Sequence, residues 1–583
     1  MSRPTCAVIG ALLTAAFVAH TAHGQRYVAG ADFSGGAKDV FGSVHFGELV
    51  NIVYAQSTGP LAAMHGEVTL DRVPADPLYL HMKGRDDDAP DACRIAISVN
   101  GKSVFEGPNP FPADQWGVQR FALPDGAAKP GANEIVIANI EPEGQAGMPP
   151  WFMAAACGIG PEDYELRDDI GRNFIVRLPD ALRPLPEPLP DGAEPGFRIR
   201  GTKGWYWTPE QYLAEIPILA QAKMNFLMNC YTSMFTGPGF ENRWREPIPD
   251  ERKAAYERVV RRCEEYGIDF CFALHPQLGA ADPLDPTSDE DFEDLWPHFD
   301  WAQSIGVRWF SLPLDDVHIM EGVRISGPEH AHLINKLFAR LRERDPEAQF
   351  IFCPTWYWGD GSGETERAYL EALAEELHPD VYLFWTGDGV TGAITRKAAE
   401  TYRGFARHRI ILWDNYPVND GHPTMHLGPV TGRDPELCEV VDGYMSNPHR
   451  SQNEINRIPL LTCADYAWNP RAYDPERSIG QAIAHLETTP EARAALRDLV
   501  QAYPGMLLYG NGSPAFNAVR DQYLRLATPR HARFTASAYL RSLEELSDRL
   551  HALFPDRYFA ARKTLDDDIA WIRAAFVERF GDW

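Results

Sequence analysis

Residues 307–318 read VRWFSLPLDDVH, an apolar run that ends in two adjacent carboxylates, Asp315 and Asp316. Like charges this close repel, which raises one pKa and keeps one acid protonated near neutrality. Such a pair can do proton chemistry: one group gives a proton to a leaving oxygen while its neighbour holds or polarises another part of the same substrate. The plainer alternative is a solvated turn. Glycosidases with a protein nucleophile place their carboxylates roughly 5–5.5 Å apart on opposite faces of the anomeric carbon, and inverting enzymes need a wider gap. Neighbours on one strand approach from one side and do not easily bracket a sugar. They suit a reaction in which the sugar's own 2-acetamido oxygen attacks the anomeric carbon. One carboxylate then holds the acetamido N–H and the other protonates the leaving oxygen.

The company of the pair points the same way. Polar and aromatic residues close other apolar runs: Gly204, Trp205 and Tyr206; Asn229 and Tyr231; His275; Trp356 and Tyr357; Trp385 and Thr386; Trp413, Asp414 and Asn415; Asp465 and Tyr466. Acids can move protons, amides can read hydroxyls, and rings can stack on sugars. The chain shows no phosphate-binding glycine loop, no Ser-His-Asp set and no Cys/His metal cluster, so neither a metal nor a cofactor is expected. His275 and His318 have no evident partner and read as structural or loop residues.

The elements that must carry these residues follow from periodicity. Between about 197 and 480, eight apolar runs alternate with helical segments: FRIRGTKGWYW, MNFLMNCY, IDFCFALHP, VRWFSLPLDD, QFIFCPTWY, DVYLFWTG, RIILWDNYP and PLLTCADYAW. Buried strands alternating with helices predict a (β/α)8 TIM barrel, whose sites lie at the C-terminal ends of the strands. Asp315 and Asp316 then close the fourth strand, at the catalytic face. Residues 25–165 hold short strands and turn signals such as Asn100-Gly101, which predict an N-terminal β-sandwich; within it VNGKSVFEGPNPFP and GANEIVIANIEP resemble the β-sandwich modules appended to many carbohydrate-active enzymes. Residues 166–196 are Pro-rich and read as a linker. Residues 481–583 show i, i+3, i+4 apolar spacing and predict a C-terminal helical domain. Asp566, Asp567 and Asp568 there read as a solvated helix start.

Composition bounds the partners. With 82 Asp and Glu against 55 Lys and Arg, the formal charge is −27. Such a chain repels nucleic acid and anionic lipid. Residues 1–24 combine Arg3, an apolar stretch from Ala7 to Val18, and AHG before Gln25, which reads as a secretory signal peptide. An exported protein, periplasmic or extracellular, with no membrane span is expected. The eight cysteines beyond Cys6 form no CxxC pair and read as small buried hydrophobes.

LDDV, FCPTWY, FWTG, LWDNYPVND and YMSNP occur in that order and resemble the barrel of family 84 glycoside hydrolases, the β-N-acetylglucosaminidase and O-GlcNAcase type. The resemblance covers most of residues 197–450. It implies a retaining, substrate-assisted hydrolase acting on a glycan or glycoconjugate that carries N-acetylhexosamine. It implies that Asp315 orients the acetamido group and that Asp316 is the general acid and then the base. Tyr357 would bond the acetamido oxygen and Trp413 would wall its methyl pocket. Asn415 would assist near the reacting centre, Asp420 would take outer hydroxyls with Asn447 nearby, and the backbone of Gly204 would approach the sugar. Three positions depart from the family pattern. Lys203 and Trp356 each replace a Glu, and Thr232 stands where a Lys is usual. These departures keep two other readings open: a related glycosidase with another sugar specificity, and a glycan-binding protein without catalysis.

Overall fold

A computed structural model describes residues 28–581 except 30–32, 36–43, 46–47, 74–76, 87–91, 114, 147, 167–185, 187–188, 233, 235–241, 321–322, 420–424, 451–453, 506–517 and 556. The expected leader and most of the Pro-rich stretch therefore lie outside the described residues.

Eight short strands of β-branched, aromatic and aliphatic residues pair in parallel. In order they are Ile199–Gly204, Phe226–Asn229, Asp269–Ala273, Trp309–Pro313, Gln349–Cys353, Tyr382–Trp385, Ile410–Pro417 and Gly443–Asn447. The ring closes where Ile199 pairs with Gly443. Side chains alternate along each strand. Ile199, Met228, Cys271, Trp309, Ile351, Phe384 and Met445 fill the interior. Their neighbours Leu227, Phe270, Phe310, Phe350, Leu383 and Tyr444 face the surrounding helices. Four of those helices start on side-chain caps: Thr208, Ser288, Ser326 and Thr395 each accept a backbone N–H of the first turn.

The barrel is as expected, but its eighth strand is not PLLTCADYAW. That run lies in the helix Arg457–Trp468, in which every residue but Trp468 is buried. The eighth strand is the short run GYMSN, Gly443–Asn447. A fully buried helix has no polar face, so its apolar run cannot be told from a buried strand by periodicity. Asp465 and Tyr466 consequently leave the barrel mouth, and Tyr466 Oη donates to Asp434 O instead.

The N-terminal part forms two five-stranded antiparallel sheets. Val68, Leu80, Met82, Ile97, Ile135 and Phe152 meet between them. Asn100 and Gly101, with φ of 50° and 76°, make the tight turn that joins Arg94–Val99 to Lys102–Pro108. Trp151–Gly160, buried at every position, is a central strand that alternation did not announce.

C-terminal helices pack against the barrel. Asp566–Asp568 lie within the helix Phe559–Phe580, not at its start, and Asp568 is buried against Tyr503 and Arg520. Arg457 holds Glu215 at 2.7 Å with both side chains 1 % exposed. Arg557 ties Glu454 and Glu487 together nearby. No described helix is long and apolar enough to cross a membrane.

Removing one partner of a buried ion pair strands the other charge, at about 3–5 kcal/mol. Arg457→Met should therefore lower the thermal midpoint of the barrel, and the double variant Glu215→Leu/Arg457→Met should lower it less. Differential scanning calorimetry of the three proteins checks this.

Candidate active site

Trp309, Ser311 and Pro313 share the inward phase of the fourth strand, and two residues further on Asp315 follows it. Asp316 would point outward if the strand continued. It adopts φ 60°, ψ 2° instead, a left-handed turn that Asp tolerates better than most residues. Both carboxylates thereby line one cavity of about 200 Å³, together with Lys203, Trp205, Tyr231, Cys353, Tyr357, Thr386, Val390, Thr391, Trp413, Asn415, Val418 and Asn447.

Each acid is held by its own phenol. Tyr231 Oη donates to Asp315 Oδ2 at 2.8 Å, and Tyr357 Oη donates to Asp316 Oδ1 at 2.8 Å. Burial first, then the nearby carboxylates, push both phenols well above their usual range, so they remain donors. His275 completes the support. Its Nδ1 accepts the N–H groups of Gln277 and Leu278, which leaves the hydrogen on Nε2 to donate to Asp315 O at 3.0 Å. Burial lowers its pKa, so the ring stays neutral. His275, read from sequence as lacking a partner, thus positions the backbone of the acidic turn. His318 packs against the rings of Trp356 and Trp358.

Burial, followed by the charge of Asp315, raises the pKa of Asp316, while the Tyr357 hydrogen bond opposes that rise. The other polar groups form a graded set. Asn447 Nδ2 donates to Asn415 Oδ1, and Asn415 Nδ2 donates to Val390 O, both at 2.8 Å. Asp315 Oδ1, Asn447 Oδ1 and Trp413 Nε1 are buried with no hydrogen-bond partner among the described residues. Asp315 Oδ1 lies 3.7 Å from His275 Nε2, beyond hydrogen-bond reach. Buried polar groups of this kind are costly unless a ligand satisfies them. These three unbonded atoms are two acceptors and one donor.

Asp315, Asp316, Tyr357, Trp413, Asn415 and Asn447 are all brought together here. Asp420 lies outside the described residues. Gly204 does not line the cavity. A Cβ there would meet the Tyr212 ring at 2.2 Å, and its carbonyl accepts from Tyr212 Oη, so close packing against Tyr212 explains the glycine. Trp385 faces outward and donates from Nε1 to Gly359 O. Asp414 also faces outward, paired with Arg433 and Tyr444. Asn229 is taken up by Ala273 and Cys230. Tyr231 was visible as a strand-end residue, but nothing in the sequence tied it to Asp315.

The model of the NAGidase family, beta-N-acetylglucosaminidase, matches residues 199–501. The chain belongs to this family. Curated relatives include the proteins called Protein O-GlcNAcase from Rattus norvegicus and Mus musculus. Each is 28% identical over 233 residues, 38% of this chain and 25% of theirs. The match thus spans about a quarter of the length of those relatives. Among solved structures, a mutant of the Thermobaculum terrenum O-GlcNAc hydrolase aligns with a TM-score of 0.53 at 24% identity, over 66% of this chain and 84% of that one. CpGH84B aligns with a TM-score of 0.52 at 23% identity, over 72% and 69%. These likenesses show the fold. Within this beta-N-acetylglucosaminidase barrel, the departures fall in different places. Thr232 Oγ1 donates to Tyr206 Oη at 3.0 Å, and Trp356 packs on His318, neither of them lining the cavity. Lys203 does line it.

The raised pKa of Asp316 is open to test by its causes. Tyr357→Phe removes a bond to the charged form, so the carboxyl should titrate at higher pH. Asp315→Asn removes the like charge, so Asp316 should titrate at lower pH. Carbon-13 carboxyl resonances of aspartate-labelled protein would register opposite displacements.

Proposed function

We propose that this chain is a retaining β-N-acetylhexosaminidase that uses the substrate's own acetamido oxygen as nucleophile. The observation that carries this reading is the turn that puts both carboxylates in one cavity, with Asp315 Oδ1 buried and unbonded beside a protonation-prone Asp316. Family membership and the fit of the cavity's donors and acceptors to an amide and hydroxyls support it.

In the first step, Asp315 Oδ1 accepts the acetamido N–H, which turns the carbonyl oxygen toward the anomeric carbon. That oxygen forms a bond to C1 as the glycosidic C–O bond breaks. Asp316 passes its proton to the departing oxygen, so no free alkoxide forms. Asp315 stabilises the positive charge spread over the resulting oxazolinium ring. In the second step Asp316, now ionised, takes a proton from water as the water oxygen attacks C1 and the ring opens. Two inversions at C1 give net retention. Trp413 walls the acyl group. Tyr231 and His275 hold Asp315, and Tyr357 holds Asp316 until the acetamido oxygen draws near. Asn415 and Asn447 read the ring's hydroxyls.

The substrate is a glycan or glycoconjugate that carries N-acetylhexosamine. The protein is also proposed to be exported, on the strength of Arg3, the apolar stretch to Val18 and the small residues before Gln25. N-terminal sequencing of the mature protein from a secreting host should begin near Gln25, and a retained Met1 would refute the leader.

Hydrolysis of an aryl β-N-acetylglucosaminide tests the reaction. Asp316→Asn and Asp315→Asn should each reduce kcat/KM by roughly 10²–10⁴, the scale of lost acid–base help. The Asp316→Asn loss should shrink on substrates with an acidic phenol as leaving group, because that group needs no proton. An Asp316→Asn loss of equal size on all leaving groups would rule out the general-acid role.

A further inference from the structure

Residues 356–358 read WYW, and the three side chains go different ways. Tyr357 enters the sugar cavity, where it bonds Asp316. Trp358 packs on the cluster that fills the barrel interior, and Trp356 on the cluster beneath the helices. His318, on the short turn Val317–Ile319 just beyond Asp316, meets both indoles. Its ring centroid is 5.0 Å from that of Trp356 and 5.1 Å from that of Trp358. The two indoles are 5.5 Å apart, and Trp358 stands edge-on to Tyr357 at 4.9 Å. Four rings therefore run unbroken from the phenol that holds Asp316. Of the four, only Tyr357 lines the cavity, and the other three, each half-buried, continue outside it.

That position has a chemical meaning. The cavity, about 200 Å³, is smaller than those that enclose a whole drug-sized ligand, so the leaving group lies outside it. Proton transfer requires that the departing oxygen touch Asp316. The leaving group thus emerges on the side of Asp316 and Tyr357, where the rings begin. Partly exposed aromatic surface gains free energy when an apolar face covers it. His318 Nδ1 and Trp356 Nε1 are buried with no hydrogen-bond partner among the described residues, and such atoms call for a polar ligand. A pyranose meets both demands, with a face of C–H groups and a rim of hydroxyls. A serine or threonine side chain offers a ring little more than a methylene or a methyl.

We propose that Trp358, with Trp356 and His318, forms a subsite that stacks the leaving group as a sugar ring, so that the bond cleaved joins N-acetylhexosamine to a second sugar rather than to a serine or threonine side chain. The inference rests on the acid pair being the reacting centre of the proposed function. It narrows the substrate from glycoconjugates in general to glycans.

The test compares kcat/KM on N-acetylglucosamine β-linked to O3, O4 or O6 of galactose with kcat/KM on N-acetylglucosamine β-linked to serine in a peptide. At least one disaccharide should exceed the glycopeptide by about tenfold, the scale of one stacked ring. Which disaccharide does so gives the linkage. Trp358→Leu should abolish that ratio, and Trp358→Phe should keep part of it. Because the ratio is taken within each variant, a general loss of folded protein does not move it. A glycopeptide cleaved as well as every disaccharide would overturn the proposal, as would a preference that survives in Trp358→Leu. Binding to the Asp316→Asn protein, read by tryptophan fluorescence, separates this proposal from the hydrolase reading. Tighter binding of a disaccharide than of free N-acetylglucosamine, lost in Asp316→Asn/Trp358→Leu, would uphold the subsite even if the unaltered protein hydrolysed nothing. Hydrolysis with no preference among leaving groups would uphold the hydrolase and remove the subsite.

Discussion

The left-handed backbone of Asp316 is the constraint on which the site depends. Adjacent strand residues point to opposite faces, so an unbroken strand would put one carboxylate inside the barrel and the other among the helices. A single residue at φ 60° turns the second acid back toward the first. Such a conformation has an energetic cost for any residue but glycine, and it persists where the surroundings over-determine it. Here they do. The Tyr357 hydroxyl holds the Asp316 carboxylate, and His275 holds the Asp315 carbonyl one residue earlier.

Those supports come from separate strands, which is why the barrel matters to the chemistry. Tyr231 follows the second strand, His275 the third, the acid pair the fourth and Tyr357 the fifth. Parallel pairing brings these ends to one rim at fixed register, with Trp309 opposite Gln349 and Pro313 opposite Cys353. Two phenols donate to two carboxylates, and no described group bonds the outer oxygen of Asp315. The electrostatic asymmetry follows from that geometry. Burial and a like charge raise Asp316, and the pair is thereby prepared to give and take a proton at one position.

Lys203 lines the same cavity. Two acids and one ammonium in a small cavity give a different field from two acids alone, and the aromatic walls that surround Lys203 keep water from diluting it. The remaining unbonded polar atoms, on Asn447 and Trp413, belong to residues that line the same cavity. Farther out, the Arg457–Glu215 pair joins the helix Arg457–Trp468 to the helix Pro209–Gln221, and Arg557 pairs with Glu454.

By itself the sequence determined the alternation of buried strands and helices, the sandwich before them, and a run of acids and rings at the strand ends. Those are local properties, set by hydrophobic period and by turn chemistry, and they also carried the family resemblance through LWDNYPVND and YMSNP. Period alone misassigned PLLTCADYAW, because a helix buried on every side has lost the polar stripe that marks it. Which strand-end residues meet was decided only by the tertiary structure. Asp414 and Trp385 stand beside site residues in the chain yet face outward, while Tyr231 and His275, distant in sequence, converge on Asp315. The reason is physical: the direction of a side chain on a strand depends on its phase, and its partners depend on how the barrel closes. Neither is written in any single segment.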